Sequence, residues 1–208
     1  MDANEVLSAV SSEVGGCRKC TLAHSRKLAV PGAGPANAEI MFIGEGPGFH
    51  ENEQGLPFVG AAGKFLDDLL TSIGMQRSQV FITNVVKCRP PGNRDPEPDE
   101  LAACDDYLER QIQAINPRII VTLGRFSMAK FIPNVKISQV HGQSRWVNGR
   151  LVVPMYHPAA ALHQRSLMTT VQEDFKQLPK FVEDARQVQR AQENSAEDEQ
   201  KPQQLSFF

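Results

Sequence analysis

The stretch EIMFIGEGPGFHENEQGLPFVGAAGKFLDDLLTSI, Glu39–Ile73, combines the patterns of a strand, a glycine-rich loop and a helix. It opens with an apolar run of strand length, Glu39–Ile43, and closes with Lys64–Ile73, whose apolar residues recur on one helical face. The segment between them, Gly44–Gly63, carries six glycines and two prolines. A strand that passes through a glycine-rich loop into a helix is typical of the first unit of an α/β sheet.

Similar units follow along the chain. Three further apolar, β-branched runs of strand length are Val80–Val86, Arg118–Leu123 and Arg150–Met155. Helical patterns cover Pro98–Ile115, which starts with acidic residues, and Arg125–Phe131. Alternating strands and helices predict an α/β fold, in which a parallel sheet has helices on both faces.

The region around residues 138–154 adds one variation to this pattern. Asn148-Gly149 is a dipeptide that favours a two-residue hairpin turn. We therefore expect an antiparallel excursion before the last strand.

Length and composition set the broad class. The 208 residues, 41% of them hydrophobic, predict one globular domain over 1–182 and an acidic, disordered tail over 183–208. No run reaches the length of a membrane span and the N-terminal residues do not resemble a secretion signal, which predicts a cytoplasmic protein without stable disulfides. The tail carries six acids and three bases, so the rest of the chain is about neutral and nucleic acid is neither excluded nor demanded.

The predicted strands run into unusual segments. The first ends in GEGPG (Gly44–Gly48), the second in TNVVKCRPPGNRDP (Thr83–Pro96) and the fourth in YHPAAAL (Tyr156–Leu162). Because ligands bind beyond the carboxyl ends of strands in open α/β sheets, we expect these segments to meet at an active site. GEGPG lacks the Lys and Ser or Thr of a phosphate loop and the glycine spacing of a dinucleotide fingerprint, which disfavours a nucleotide-binding enzyme.

Three side chains in or near these segments have two interpretations each. Asn84 offers an amide donor and acceptor that match a base edge, but it is equally typical of a turn. His157 can donate to an oxygen that bears negative charge, although a histidine there is more often a surface loop residue. Phe58 lies in a predicted loop, where an aromatic suits base stacking, or else belongs to the core.

The cysteines form a pattern of their own. Cys17 and Cys20 are spaced C-x2-C, and Cys88 and Cys104 follow singly. Four thiolates suit zinc or an iron–sulfur cluster, and the spacing alone favours zinc as the commoner choice. Buried free cysteines are disfavoured for the C-x2-C pair, and a redox pair should follow a strand, whereas this one precedes every predicted strand.

In this order, the motifs resemble the family-4 uracil-DNA glycosylases, the iron–sulfur branch of the uracil-DNA glycosylase superfamily. The match covers Cys17 to Leu162 and rests on C-x2-C, GEGPG, QGLPFVGAAG, TNVVKCRPPGNRDP, the later Cys104 and HPAAAL. The resemblance implies a three-layer α/β/α sandwich with a central four-stranded parallel sheet. It also implies a DNA repair enzyme that flips out deoxyuridine and hydrolyses its N-glycosidic bond, which releases uracil without cleaving the strand.

The resemblance assigns roles to individual residues. The expected cluster is [4Fe–4S], in place of zinc, and the expected pocket recognises uracil. Asn84 would bind the base edge, Phe58 would stack on the base, and His157 would donate a hydrogen bond to the carbonyl that gains charge. Glu45 would orient the attacking water, and Glu51 would exclude the thymine methyl. The cluster ligands would be Cys17, Cys20, Cys88 and Cys104, and the backbone groups lining the pocket would be those of Gly44, Glu45 and Gly46.

DNA contacts are expected outside the pocket. Arg89 and Arg94 would grip the DNA, and Leu162 would fill the vacated stack as a wedge, unless it is a helix core residue. The chain departs from the family pattern at Phe49-His50, where members often carry acids, and the resemblance leaves the details of the pocket rim open there. The inserted basic loop of a relative that bonds covalently to abasic DNA is missing.

The C-terminal peptide resembles a different motif. Its residues are Gln204, Leu205, Ser206, Phe207 and Phe208. This order is similar to the pentapeptide by which bacterial proteins bind the sliding clamp, and an acidic linker before it favours capture by a partner groove. The alternative is that the two phenylalanines fold back onto the domain. Clamp binding would indicate a bacterial protein of the nucleoid, and nothing in the sequence indicates more than a monomer.

The main alternative function is a non-catalytic iron–sulfur or zinc module that binds nucleic acid on the same fold. Retention of Glu45, Phe58, Asn84 and His157 together argues against it.

Overall fold

The computed structural model describes residues 2–200, with only the backbone described over 192–200. The peptide Gln204–Phe208 lies outside the described residues, so its clamp binding stays a prediction. The strands are β1 Ile40–Gly44, β2 Phe81–Asn84, β3 Ile119–Leu123, β4 Arg145–Val147 and β5 Arg150–Met155. The helices are α1 Ala3–Gly16, α2 Leu22–Ser25, α3 Phe49–Gln54, α4 Ala61–Ser72, α5 Pro98–Ile115, α6 Arg125–Phe131, α7 Ile137–Val140, α8 Pro158–His163, α9 Leu167–Lys176 and α10 Leu178–Gln200, with short 3₁₀ turns at Arg77–Gln79 and Pro91–Asn93.

The sheet has five strands in the order β2-β1-β3-β5-β4. The four predicted strands pair in parallel, and β4 pairs antiparallel with β5 at the edge. The expected four parallel strands are present, and the sheet carries one further edge strand, β4, which lies in the region where an antiparallel excursion was expected. The hairpin turn behind that strand is the predicted one, because Asn148 and Gly149 adopt φ angles of 48° and 76°, as a two-residue hairpin requires.

Both faces of the sheet are buried. On β1, Ile40 and Phe42 pack in the cluster that includes residues of α4, α9 and α10, whereas Met41 and Ile43 pack in the cluster that includes residues of α5 and α6. Two-sided burial explains why the parallel strands are continuously apolar rather than alternating.

The helices agree with the sequence patterns where those patterns are long. Helices α5 and α6 have the predicted bounds, and α4 begins at Ala61, three residues before the predicted start at Lys64. Helix α3 occupies part of a segment predicted as loop. Helix α1 was not predicted, although Asp2 and Glu5 form a capping box at its start.

The last helix crosses the predicted domain boundary. Helix α10 runs from Leu178 to Gln200, Ala185 is 2% exposed within the core, and the Arg186 guanidinium pairs with Glu39. The packed domain therefore continues beyond Val182. Over residues 2–200, no helix combines the length and apolarity needed to cross a membrane.

Candidate active site and cysteine cluster

A cavity of about 380 Å³ opens at the carboxyl ends of β1, β2 and β5. The three segments that were expected to meet do line it together. The lining residues are Glu45, Gly46, Pro47, Gly48, Glu51, Phe58, Ala62, Asn84, Pro90, Asn93, Arg94, His157, Ala159, Ala160 and His163. Its volume lies in the range of small-molecule sites and suits a single base.

Gly44, the last residue of β1, allows the walls of this cavity to approach each other. A Cβ at Gly44 would lie 2.4 Å from Asn84 Oδ1 and 2.8 Å from the Phe58 ring. Any side chain at this position would therefore displace both the amide and the aromatic ring.

Phe58 forms an aromatic wall in a constrained conformation. It is 6% exposed, and its φ of 51° lies in the left-handed region that side chains rarely adopt. Its ring stacks on the His157 ring, with centroids 5.4 Å apart and planes at 28°. A Cβ at Gly63 would lie 1.8 Å from the Phe58 carbonyl oxygen, so the first turn of α4 packs directly on this residue. The packing holds Phe58 where its ring lines the cavity.

Asn84 presents an amide with an unused acceptor. The residue is 1% exposed, and its Oδ1 has no hydrogen-bond partner among the described residues. Its backbone is held from behind, because the buried Lys87 Nζ donates to the Asn84 carbonyl at 2.9 Å, to Thr83 Oγ1 at 2.6 Å and to Gln111 Oε1 at 2.8 Å. A buried acceptor without a partner is unfavourable in isolation, and at the edge of a cavity it can receive a donor from a water molecule or a ligand.

His157 is held as a neutral donor. Its Nδ1 accepts a hydrogen bond from the Ala159 N–H at 3.1 Å, which places the ring proton on Nε2. Burial lowers the pKa of His157 to about 4, although the negative charge of Glu51 acts to raise it. At neutral pH the imidazole is therefore uncharged and has Nε2–H free to donate.

The two glutamates of the cavity differ in their surroundings. Burial, helped by the nearby charge of Asp95, raises the pKa of Glu45 above its usual range. The Glu51 carboxylate accepts from Val59 N at 2.8 Å, Gly60 N at 2.9 Å and Gly48 N at 3.1 Å. Glu51 thus joins the GEGPG loop to the Phe58 loop, a positioning role that the sequence did not indicate.

The predicted DNA contacts lie around the cavity but differ in availability. The Arg94 guanidinium forms a two-bond pair with Glu100, at 2.6 and 2.9 Å, so its charge is already compensated. Arg89 donates from Nε to Asn93 Oδ1 at 2.7 Å. Leu162 is 41% exposed on α8, so it is not a helix core residue.

Sequence reasoning missed three residues of the site. Asn93, within the segment Thr83–Pro96, and His163, directly after Tyr156–Leu162, line the cavity, but neither was given a role. Lys87 is 1% exposed behind Asn84, and no local signal reveals the burial of a lysine.

The four cysteines line one small cavity, separate from the first. Cys88 and Cys104 are buried, and Cys17 and Cys20 are partly exposed. Burial raises the pKa of the Cys88 thiol. The Arg26 guanidinium donates to Cys88 Sγ at 3.0 Å and acts against this rise in pKa.

Among the side chains described over residues 2–191, no three His, Cys, Asp or Glu residues lie close enough to hold a single metal ion. The four thiols nevertheless surround one common space. Four Cys thiolates are the ligands of structural zinc ions and of iron–sulfur clusters, so the donor set fits a metal-containing group.

Comparisons with known proteins agree with this geometry. The family model of the uracil DNA glycosylase superfamily matches residues 31–186. The type-4 uracil-DNA glycosylase of Sulfurisphaera tokodaii is 50% identical over 83% of this chain and 83% of its own length. Those of Archaeoglobus fulgidus and Saccharolobus solfataricus are 48% and 50% identical, over 84% and 83% of this chain and 92% and 84% of their own lengths. The chain therefore belongs to the uracil DNA glycosylase superfamily and, within it, to the type-4 uracil-DNA glycosylases.

Proposed function

We propose that this protein is a DNA repair glycosylase, which flips deoxyuridine out of DNA and hydrolyses its N-glycosidic bond to leave free uracil and an abasic site. The proposal rests on three side chains that line one cavity. Asn84 Oδ1 is a buried acceptor without a partner among the described residues, His157 Nε2–H is a neutral donor, and Phe58 is an aromatic wall. The type-4 relatives, named as uracil-DNA glycosylases, support the same reaction.

The cavity complements the polar edge of uracil. The N3–H of uracil is a donor that matches Asn84 Oδ1, and the amide nitrogen of Asn84 matches O4. Cytosine offers the opposite pattern, with an acceptor at N3 and a donor at C4, so it leaves both amide groups unsatisfied. Thymine has the same polar edge as uracil and must be excluded by shape, a role that we assign to the wall held by Glu51.

Bond cleavage needs stabilisation of the departing base. As the bond from C1′ to N1 breaks, its electron pair moves into the uracil ring and negative charge collects on a carbonyl oxygen. His157 Nε2–H donates to that oxygen, and Glu45 and Gly46 line the same cavity. Water then adds to C1′, and its proton neutralises the uracil anion.

Glu45 is assigned to orient this water. It lines the cavity, and burial raises its pKa, which makes it a better proton acceptor than an exposed carboxylate. None of the described residues lining the cavity is a lysine, and Lys87 is buried with three acceptors on its ammonium. Without an amine nucleophile the reaction ends in hydrolysis, and the DNA strand stays intact.

The four cysteines are assigned to a [4Fe–4S] cluster. The ligands would be Cys17, Cys20, Cys88 and Cys104, which line one cavity. The bound cluster would act as a covalent cross-link between the N-terminal loop and the elements that carry Cys88 and Cys104. The thiols and Arg26 lie outside the uracil cavity, so the reaction uses none of them.

DNA binding is assigned to the rim of the cavity. Arg89 contacts the phosphates, and Leu162, exposed on α8, fills the space left by the extruded base. Arg94 supports the same loop through Glu100. Attachment to a bacterial sliding clamp through Gln204–Phe208 remains part of the proposal.

A labelled oligonucleotide that contains one deoxyuridine tests the proposal, with a thymine-containing strand as control. We expect strand breakage at uracil only, and only after hot alkali. Breakage without alkali would contradict the hydrolytic reaction. A folded, cluster-loaded protein that binds DNA but causes no breakage would instead support the non-catalytic module.

A further inference from the structure

An exposed aromatic residue marks the rim of the uracil cavity. Phe49 is the first residue of α3 and lies between Gly48 and Glu51, both of which line the cavity. It is 54% exposed, which is the largest exposure among the large apolar residues of the described chain. A phenylalanine left in water beside a binding cavity is available to be covered by whatever the cavity binds.

Arg89 fixes this aromatic against the opposite loop. The guanidinium carbon of Arg89 lies 5.4 Å from the centroid of the Phe49 ring, within the range of a cation–π contact. Its Nε is bonded to Asn93, which lines the cavity. The two side chains therefore form one surface that continues from the cavity wall.

The charge of Arg89 remains available on this surface. Among the side chains described over residues 2–191, Arg89 takes part in no ion pair, whereas its neighbour Arg94 is paired with Glu100 and Glu97. A planar cation beside an exposed aromatic ring matches the two parts of a nucleotide, since a phosphate binds the cation and a base stacks on the ring.

We propose that Phe49 and Arg89 form a second nucleotide subsite, which holds the unstacked base and phosphate next to the flipped deoxyuridine on the same strand. The subsite rests on the proposed glycosylase function and deepens it. The stacking is sequence-tolerant, because every base has a π face. The subsite contributes most with single-stranded DNA, in which the neighbouring base is not held in a duplex stack.

Four variants test the subsite. Phe49→Ala removes the ring, Phe49→Trp keeps an aromatic, and Arg89→Gln removes the cation. Leu56→Ala is the matched control, because Leu56 is 49% exposed in the following loop and does not line the cavity. Affinity for single-stranded DNA is measured by fluorescence anisotropy, and excision by single-turnover kinetics.

We expect Phe49→Ala to weaken DNA affinity about tenfold, the effect of losing one stacked base, while the maximal excision rate stays within about twofold. Phe49→Trp should restore the affinity, and Leu56→Ala should leave it unchanged. Arg89→Gln should lower the slope of log affinity against log salt by about 1.

A substrate series identifies the occupant. The series uses oligonucleotides that lack either the base 5′ to the uracil or the base 3′ to it. The loss of DNA affinity caused by Phe49→Ala should disappear with one of these two oligonucleotides and persist with the other. The proposal is overturned if Phe49→Ala binds like the wild type, or if the penalty persists when either neighbouring base is missing. Affinity for uracil-free DNA is measured in parallel and separates this proposal from the glycosylase function. A wild-type protein that binds DNA but releases no uracil would count against the glycosylase function alone.

Discussion

At the scale of single residues, the site depends on a close approach that only glycine allows. A methyl group at Gly44 would lie 2.4 Å from Asn84 Oδ1 and 2.8 Å from Phe58. Gly44→Ala should therefore displace the Asn84 amide and lower uracil excision at least tenfold, which corresponds to about 1.4 kcal/mol. Excision kinetics and circular dichroism check this prediction together.

Gly15→Ala is the control for that substitution. A Cβ at Gly15, in α1, has nothing within 4 Å, so alanine there should leave activity unchanged. Wild-type activity in Gly44→Ala would show that Asn84 and Phe58 do not read the base from their present positions.

His157 gives a second prediction, because its pKa of about 4 lies below the ordinary 6.5. Folding favours the neutral ring, so its contribution to stability is complete above pH 6.5 and is lost as the pH falls toward 4. Long-range ¹H–¹⁵N NMR of the imidazole should show a neutral ring with its proton on Nε2 at pH 6. A charged ring at pH 6 would contradict the neutral donor.

At the scale of elements, Glu100 connects three parts of the chain. It is 0% exposed at the start of α5, and its carboxylate accepts from Arg94, from Glu97 N at 2.8 Å and from Thr21 Oγ1 at 3.2 Å. The Arg94 guanidinium is the main reason why the pKa of Glu100 falls to about 2. One carboxylate thus ties the loop after Cys20 and the loop after β2 to the helix that carries Cys104.

Glu100→Gln should consequently destabilise the protein by about 2 kcal/mol, the usual contribution of hydrogen bonds to a charged group. If the four cysteines hold the proposed cluster, the variant should also lose iron to a chelator faster, since the cysteine loops lose a shared anchor. Asp106→Asn on the same helix is the control, because the Asp106 side chain is 60% exposed and its ion pair with Arg110, at 3.6 Å, should contribute little. Equal stability and iron retention in the two variants would remove Glu100 from this role.

Elements were predictable to the extent that their patterns are local. Pro98–Ile115 combines a proline and acids at its start with apolar periodicity, and its bounds were predicted correctly. Phe49–Gln54 is a helix of only six residues, most of them polar, so its sequence could not be distinguished from that of a loop. Edge strand β4 has only three residues, and pairing with β5 rather than its own pattern makes it a strand.

At the scale of the whole molecule, topology explains why the candidate site could be located before its geometry was known. Parallel strands place their carboxyl ends on one edge, so the residues after β1, β2 and β5 had to come together. The partners of charged groups followed no such rule. Nothing in the sequence indicated that Lys87 would be buried behind Asn84, or that Glu100 would take up the charge of Arg94.

We propose above that Asn84 Oδ1, which has no hydrogen-bond partner among the described residues, receives the uracil N3–H during excision. The most direct measurement is the single-turnover rate of uracil release for wild type and Asn84→Ala, with DNA affinity measured in parallel. Losing a hydrogen bond to a buried group costs about 1–3 kcal/mol, so we expect a loss of roughly fivefold to 150-fold in rate, with nearly unchanged affinity for uracil-free DNA. A folded Asn84→Ala that releases uracil at the wild-type rate would contradict the account.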